Sequence, residues 1–453
     1  MPNRVEEFIA DPRRALISLS LPLAVAMFVQ TMYNIVDAAF VGRLGAESIA
    51  ALSFSFPLFF ILVALTQGLG AGLNSTISRF LGAGRLEEAE NAAGNGILLS
   101  LALAVAVLVL GLATVRPLFA VFGAPPGVSE IGRQYMSVIF LGTAVMFPSF
   151  ALNSIFSAQG DTRTPMKVQV TGLVLNAILD PIFIYPLGFG VAGAAIATDI
   201  SLAVTLVLYV IFLRRKSILR LRSRAFRVSG PLCGEILRVG VPAALMMILL
   251  SIYVIFLNGY MIHFGTPYVA AFGLVTRLES FASLPIGALS VALLTLVGMF
   301  YGAKRYDLLR KLGRDGLLAG IALTSAIGLV MFAVPSIFLR IFTTEKDILR
   351  LGSAYLRVDV FTFPLMSTTM IISRVLQGLG MGTPGLVITL IRVFVVVVPL
   401  AYVFVYVFGL GFLWVAGAMI VGGLISNLVG YVWMKRAIDR LCPETDERTG
   451  GSV

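Results

Sequence analysis

Residues 97–113 read ILLSLALAVAVLVLGLA and carry no charged side chain. A helix in water keeps one polar face, and this one has none, so lipid is the solvent that suits it. With its flanks the run covers 91–114, enough at 1.5 Å per residue to cross a hydrocarbon core of about 30 Å. Runs of the same kind lie on both sides and bring the total to twelve expected spans: 15–40, 48–78, 91–114, 132–157, 166–187, 190–213, 236–262, 268–299, 316–338, 354–376, 384–408 and 413–434. Several exceed the minimum of about 20 residues, so tilt or kinks are expected. The apolar runs are continuous and do not alternate at period two, which argues against a β-barrel. Composition agrees: of 453 residues 58% are hydrophobic and 13% charged, and the mean hydropathy is +0.96. A soluble domain has about 25% charged residues. A soluble enzyme and a single-anchor protein are both excluded, and the expected fold class is an all-α polytopic membrane protein.

The net charge is +11. If the N-terminus is cytoplasmic, 23 of the 34 Lys and Arg residues fall in inside segments (Arg448 among them) and six fall outside. This bias places both termini in the cytoplasm, in a cell membrane. It also assigns the basic charge to anionic lipid surfaces, with no nucleic-acid partner. Only Cys233 and Cys442 are present, so neither a disulfide framework nor a thiolate cluster is expected. His263 is the single histidine, which excludes multi-histidine metal sites. Asp11, Arg13 and Arg14 precede a long span, not a short apolar region with a cleavage site, so no cleavable signal peptide is expected.

The longest connection, 214–235, is basic and central. It divides the chain into an N-terminal six-helix lobe (1–213), a cytoplasmic linker (214–235) and a C-terminal six-helix lobe (236–453). The lobes echo each other at a shift of 220. Pro22 matches Pro242, and Leu44-Gly45 with Ala50-Ala51 matches Phe264-Gly265 with Ala270-Ala271. Phe80-Leu81-Gly82-Ala83 with Arg85 matches Phe300-Tyr301-Gly302-Ala303 with Arg305, and Phe122 and Tyr135 match Phe342 and Tyr355. Gln159-Gly160 with Thr164-Pro165 matches Gln377-Gly378 with Thr383-Pro384. Six spans per lobe is an even number, so the repeat is parallel, with a pseudo-twofold axis along the membrane normal. Two lobes around a cleft are the architecture of alternating access, which points to a transporter, not an enzyme.

With these motifs, the sequence resembles the multidrug and toxic compound extrusion (MATE) family over nearly its whole length, and within it the prokaryotic DinF-type branch. The resemblance rests on Leu21-Pro22, on Asn34 to Asp37, and on Val41-Gly42-Arg43-Leu44-Gly45. Gln159 to Pro165, Asn176 with Asp180-Pro181, and Gly188 to Gly193 complete it. It implies export of amphipathic or cationic drugs and other toxic organic compounds in exchange for H⁺ or Na⁺, without a cofactor, by a monomer. Other branches carry an acid in span 7. Ala243 to Met261 contains none here, which counts against a second-lobe cation site of that kind.

A charge inside the bilayer is costly, so a carboxylate there marks function by default. Asp37 lies in span 1, with Gln30 and Asn34 on the same helical face at i, i+4 and i+7 and Tyr33 beside it. Asp180 lies in span 5, one turn after Asn176. Pro181 follows it and removes a backbone donor, which favours a kink. Thr198 in span 6 adds a hydroxyl. Asp37, Asn176, Asp180 and Thr198 form a hard-cation or proton site, and the family resemblance places its first-lobe cation site, for H⁺ or Na⁺, on these four residues. Asp37 aligns with Leu257, and Asp180 falls near Leu400 to Val403, so coupling is expected in the first lobe only. Burial penalises a charged carboxylate, and two neighbouring ones share a proton more readily than either holds a charge alone. Protonation or Na⁺ binding then lets span 1 bend, with Pro22 and Pro181 as hinges. Met27, Gln30, Tyr33, Asn34, Tyr135 and Asn153 are the expected cleft residues, since Met and aromatic side chains suit varied ligands.

Other charges lie within spans. Glu279 is expected to pair with another helix or to serve as a second-lobe charge. Arg357 and Asp359 are expected at the interface, and Arg374 and Arg392 to snorkel to the cytoplasm. Gly380-x-Gly382-x-x-Gly385 follows a membrane helix and no strand, so it is not a dinucleotide loop. Three other functions compete. A lipid-linked oligosaccharide flippase needs a cleft rich in Arg. An intramembrane aspartyl protease would use two membrane Asp residues, but its usual Tyr-Asp and Gly-x-Gly-Asp signatures are absent around Asp37 and Asp180. A channel leaves the two-lobe repeat unexplained.

Overall fold

The computed structural model describes residues 4–121 and 123–441. Phe122, Cys442 and Arg448, used above, lie outside them. Among the described residues the regular secondary structure is all helical. Its elements are Arg4–Ala10 (α1), Pro12–Gly42 (α2), Ala46–Gly82 (α3), Leu86–Val121 (α4), Pro126–Ala158 (α5), Arg163–Ile184 (α6), Gly190–Lys216 (α7), Gly230–Ile262 (α8), Thr266–Gly302 (α9) and Tyr306–Ala333 (α10). There follow Pro335–Leu339 (α11), Lys346–Asp359 (α12), Thr362–Gly378 (α13), Thr383–Leu390 (α14), Val398–Tyr402 (α15) and Leu413–Asp439 (α16). Among the described residues eleven helical segments are long and apolar enough to cross a membrane. Large apolar side chains such as Val109, Leu110 and Leu329 are more than half exposed, as lipid-facing surfaces require.

The tenth expected span, 354–376, runs as two helices, α12 and α13. The interruption has a local cause. Pro364 has no N–H to give to the Val360 carbonyl, and Phe363 N–H takes that carbonyl in a tight turn at 3.3 Å. Thr362 Oγ1 donates to the Asp359 carbonyl at 2.7 Å, satisfying another freed group. Span 11 is also irregular. Between α14 and α15, and again after α15, the chain takes the wider π-helical turn, at Ile391–Val397 and Val403–Val407. Pro399 cannot donate within this stretch, and its missing hydrogen bond favours a register change.

The chain forms two compact units. One holds Leu16–Ile248. The other joins the described residues up to Ala15 with those from Leu249 onward. The division differs from boundaries at 213 and 236: the basic linker falls within the first unit, and α8 continues from one unit into the other. The start of α8 packs closely on α3, where a Cβ on Gly72 would lie 2.1 Å from the Ile236 carbonyl oxygen.

In the first unit α5 packs against α3, α4 and α7, and α6 packs on α7. Two apolar clusters lie along α5. One gathers Phe119, Met136 and Phe140 with Leu58; the other gathers Leu152, Phe156, Leu73 and Tyr209. In the second unit α13 takes the place of α5, packing against α9, α10 and α16. The repeat extends to the backbone: Gly45 and Gly265, at the starts of α3 and α9, have φ of +106° and +119°, values that favour glycine.

Candidate functional site

The first unit brings Asp37, Asn176, Asp180 and Tyr33 together. Asp180, in the last turns of α6, is fully buried, and both of its oxygens are engaged. Asn176 Nδ2 donates to Oδ1 at 2.8 Å, and Tyr33 of α2 donates its hydroxyl to Oδ2 at 3.1 Å. The i, i+4 spacing on α6 makes the first contact local. The second spans two helices, which Tyr185 also links by donating its hydroxyl to the Phe40 carbonyl at 2.8 Å. The Asp37 and Asp180 carboxyls are near enough for one to hydrogen-bond the other. Asp37 Oδ1 is buried and has no partner. An acid oxygen in this state is a place for a proton or a cation to arrive.

Thr198 of α7 donates to the Ala194 carbonyl at 3.0 Å and leaves its lone pairs open. It stands within hydrogen-bonding reach of Tyr33. Among the described residues no three His, Cys, Asp or Glu side chains could hold a metal ion. A Na⁺ ion here would need the Asn176 and Thr198 oxygens as well as the two carboxylates. Tyr33, expected in the cleft, instead places its hydroxyl on Asp180. The signal was available: Tyr33 is one turn before Asp37.

The other expected cleft residues separate. Gln30 and Asn34 are exposed on α2 and hydrogen-bonded to each other at 3.1 Å. Met27 is half-buried and lies ten residues, about 15 Å, along the helix from Asp37. Tyr135 of α5 is within electrostatic reach of Asp37, Asp180 and Asp199. Asn153 belongs elsewhere: it is eighteen residues, about 27 Å, farther along α5 and donates to the Tyr209 hydroxyl at 2.9 Å. Asp199 has a place too. It packs on the bare backbone of Gly142, where a Cβ would fall 1.8 Å from its Oδ1. Pro22 lies inside α2 and Pro181 inside α6, and both helices run continuously through them.

In the second unit two expectations are corrected. Asp359 is not interfacial: it is 1% exposed at the α12–α13 break. Arg392 does not snorkel: it is 8% exposed in the π-helical part of span 11, over the Tyr253 ring. Glu279 on α9 is within electrostatic reach of Arg392, whereas its sequence neighbour Arg277 is exposed.

The MatE family model matches residues 22–182 and 242–403. The probable multidrug resistance protein YoeA of Bacillus subtilis is 28% identical over 93% of this chain and 94% of its own length. A FAD transporter of Shewanella oneidensis is 26% identical over 97% of both. The solved outward-facing structure of a multidrug resistance MATE-family transporter of the MOP superfamily is 32% identical, with a TM-score of 0.93 over 97% of this chain and 99% of that one.

Proposed function

The chain belongs to the MATE family of membrane transporters, and from that premise we propose that it exports amphipathic and cationic organic compounds across the cell membrane in exchange for H⁺. The observation that carries the reading is the Asp37–Asp180 pair, in which one oxygen is buried without a partner beside a carboxylate that already accepts two hydrogen bonds. Two adjacent carboxyls share one proton at less cost than they hold two charges. Na⁺ is the second candidate ion. It would have to displace the Tyr33 and Asn176 donors from Asp180, and this favours the proton.

In the proposed cycle, a proton taken up by the pair cancels its charge and loosens the hold of α6 on α2 through Tyr33. The upper part of α2 then moves with Pro22 and Pro181 as hinge points, and organic cation is released. Both termini lie in the cytoplasm, and a single copy does the work. Three acids around Tyr135 favour cationic cargo over a flavin dinucleotide or a lipid-linked pyrophosphate, either of which calls for Arg.

Purified protein in vesicles, given a proton gradient and a sodium gradient separately, tests the ion. Ethidium accumulation driven by the proton gradient alone is expected. Accumulation only with sodium would overturn the assignment, and competition by FAD would argue for the anionic cargo.

A further inference from the structure

The connection between α7 and α8 carries charge that the export cycle does not use. Residues 214–229 hold seven Lys and Arg and no acid. A polar connector of this length is ordinarily loose, yet side chains of the first unit clasp its backbone at three points. Gln159, at the end of α5, accepts the Ser217 hydroxyl at 2.9 Å and the Ile218 N–H at 3.0 Å on its Oε1. Glu90 of α4 accepts the Arg220 N–H at 2.8 Å. Asn95 of α4, fully buried, donates to the Arg227 carbonyl at 3.0 Å and accepts the Ser229 N–H at 2.8 Å. Between these points a short 3₁₀ turn, Ser223–Phe226, lies so close on α4 that a Cβ on Gly94 would collide with the Ala225 carbonyl oxygen. The +220 counterparts of Glu90, Gly94 and Asn95 are Arg310, Arg314 and Asp315. The clasp is therefore special to the first unit and is not a feature of the repeat.

Holding the backbone against α4 and α5 sorts the side chains of this belt. Leu219 and Ala225 are buried and Leu221 is half-buried, whereas Arg220, Arg222 and Arg227 are exposed. Among the described residues no acid pairs with any of these three arginines, while Arg224 is held by Glu87 at 3.4 Å. Two apolar side chains also point outward: Phe226 is 38% exposed and Val228 79%. Their depth follows from the clasp. Asn95 holds both neighbours of Val228 and stands two residues, about 3 Å, from the uncharged run 97–113. Val228 thus lies at the edge of the hydrocarbon core, with unpaired guanidinium groups beside it. A guanidinium matches a phosphate with paired hydrogen bonds, and apolar side chains at this depth bury at the boundary between headgroups and acyl chains. An acidic protein surface would answer the charge but not the apolar pair at the membrane edge.

We propose that residues 217–229 are a fixed seat for anionic phospholipid in the leaflet that the proposed orientation makes cytoplasmic. Arg220, Arg222 and Arg227 take the lipid phosphate, and Phe226 and Val228 enter the boundary below it. This surface is independent of the coupling ion and of the cargo.

The test uses the full-length protein in detergent micelles, titrated separately with dioleoyl phosphatidylglycerol and dioleoyl phosphatidylcholine, with bound lipid counted by native mass spectrometry. The wild-type chain should retain phosphatidylglycerol in preference to phosphatidylcholine. Arg220→Gln, Arg222→Gln and Arg227→Gln together should weaken phosphatidylglycerol retention by about a hundredfold. The same charge removed elsewhere, by Lys311→Gln, Lys435→Gln and Arg436→Gln, should leave it within a few-fold of wild type. Gel filtration identifies the variants that stay monodisperse. Equal retention of the two lipids by the wild-type chain, which needs no variant, overturns the proposal and leaves the surface to an acidic protein. An equal fall in both triple variants overturns it as well, since net charge and not the belt would then hold the lipid.

Discussion

Replacing Asp180 with Asn separates what the carboxylate does for folding from what it does for transport. The local cost follows from its contacts. Tyr33 and Asn176 each point a donor at one of the two oxygens, and an Asn side chain offers one acceptor, so one donor meets an N–H. The loss is about 1–3 kcal/mol, small enough for the helices to stay assembled. The cost to coupling is total. One proton exchanged for one monovalent cation moves no net charge, so the membrane potential drops out. A gradient of one pH unit is then worth about 1.4 kcal/mol, a tenfold difference in substrate. For uncharged cargo about 2.3 kcal/mol per 100 mV is added. In vesicles with clamped potential, the wild-type chain should hold ethidium near tenfold per pH unit, and Asp180→Asn near equality. Asp37→Asn should do the same at lower structural cost, since its Oδ1 has no partner to lose. A retained tenfold gradient in both variants refutes the assignment of the pair.

Three further outcomes are expected. Tyr33→Phe removes a donor to a buried carboxylate, an interaction worth about 1.5–3 kcal/mol, and should slow ethidium efflux at neutral pH ten- to a hundredfold with no change in gel-filtration profile. Gly72→Ala places a Cβ against the Ile236 carbonyl, so α8 must shift from α3; a loss of about 1–3 kcal/mol should appear as a lower thermal midpoint. Arg13→Ala breaks the 2.8 Å ion pair with Asp315. The arginine is largely exposed, so the fall in the thermal midpoint should be small and should vanish in high salt.

The spans were legible because length and apolarity decide membrane crossing, and the repeat because Gly45 and Gly265 need the same unusual backbone. The acid pair was legible because Asp37 and Asp180 interrupt apolar runs. Continuity was not. A hydropathy window averages over Asp359 to Pro364 and registers composition, whereas the break comes from one missing N–H and a threonine hydroxyl. Arg392 was misplaced for a related reason. A long arginine snorkels when water lies within reach, and only the packing of span 11 against Tyr253 decides that it does not. Asn153 was assigned to the cleft by residue type alone, and its distance along α5 from Tyr135 sets it apart. Nothing in the sequence of residues 4–15 signals that they pack with the second unit.

One experiment meets the central claim head-on: exchange of labelled for unlabelled ethidium across vesicles at equal pH, compared with uphill accumulation, in the chain carrying both Asp37→Asn and Asp180→Asn. Exchange needs only binding and alternating access, whereas accumulation needs the proton that the pair carries. Exchange that persists while accumulation disappears is the predicted result. Accumulation that survives with both carboxylates gone would contradict it.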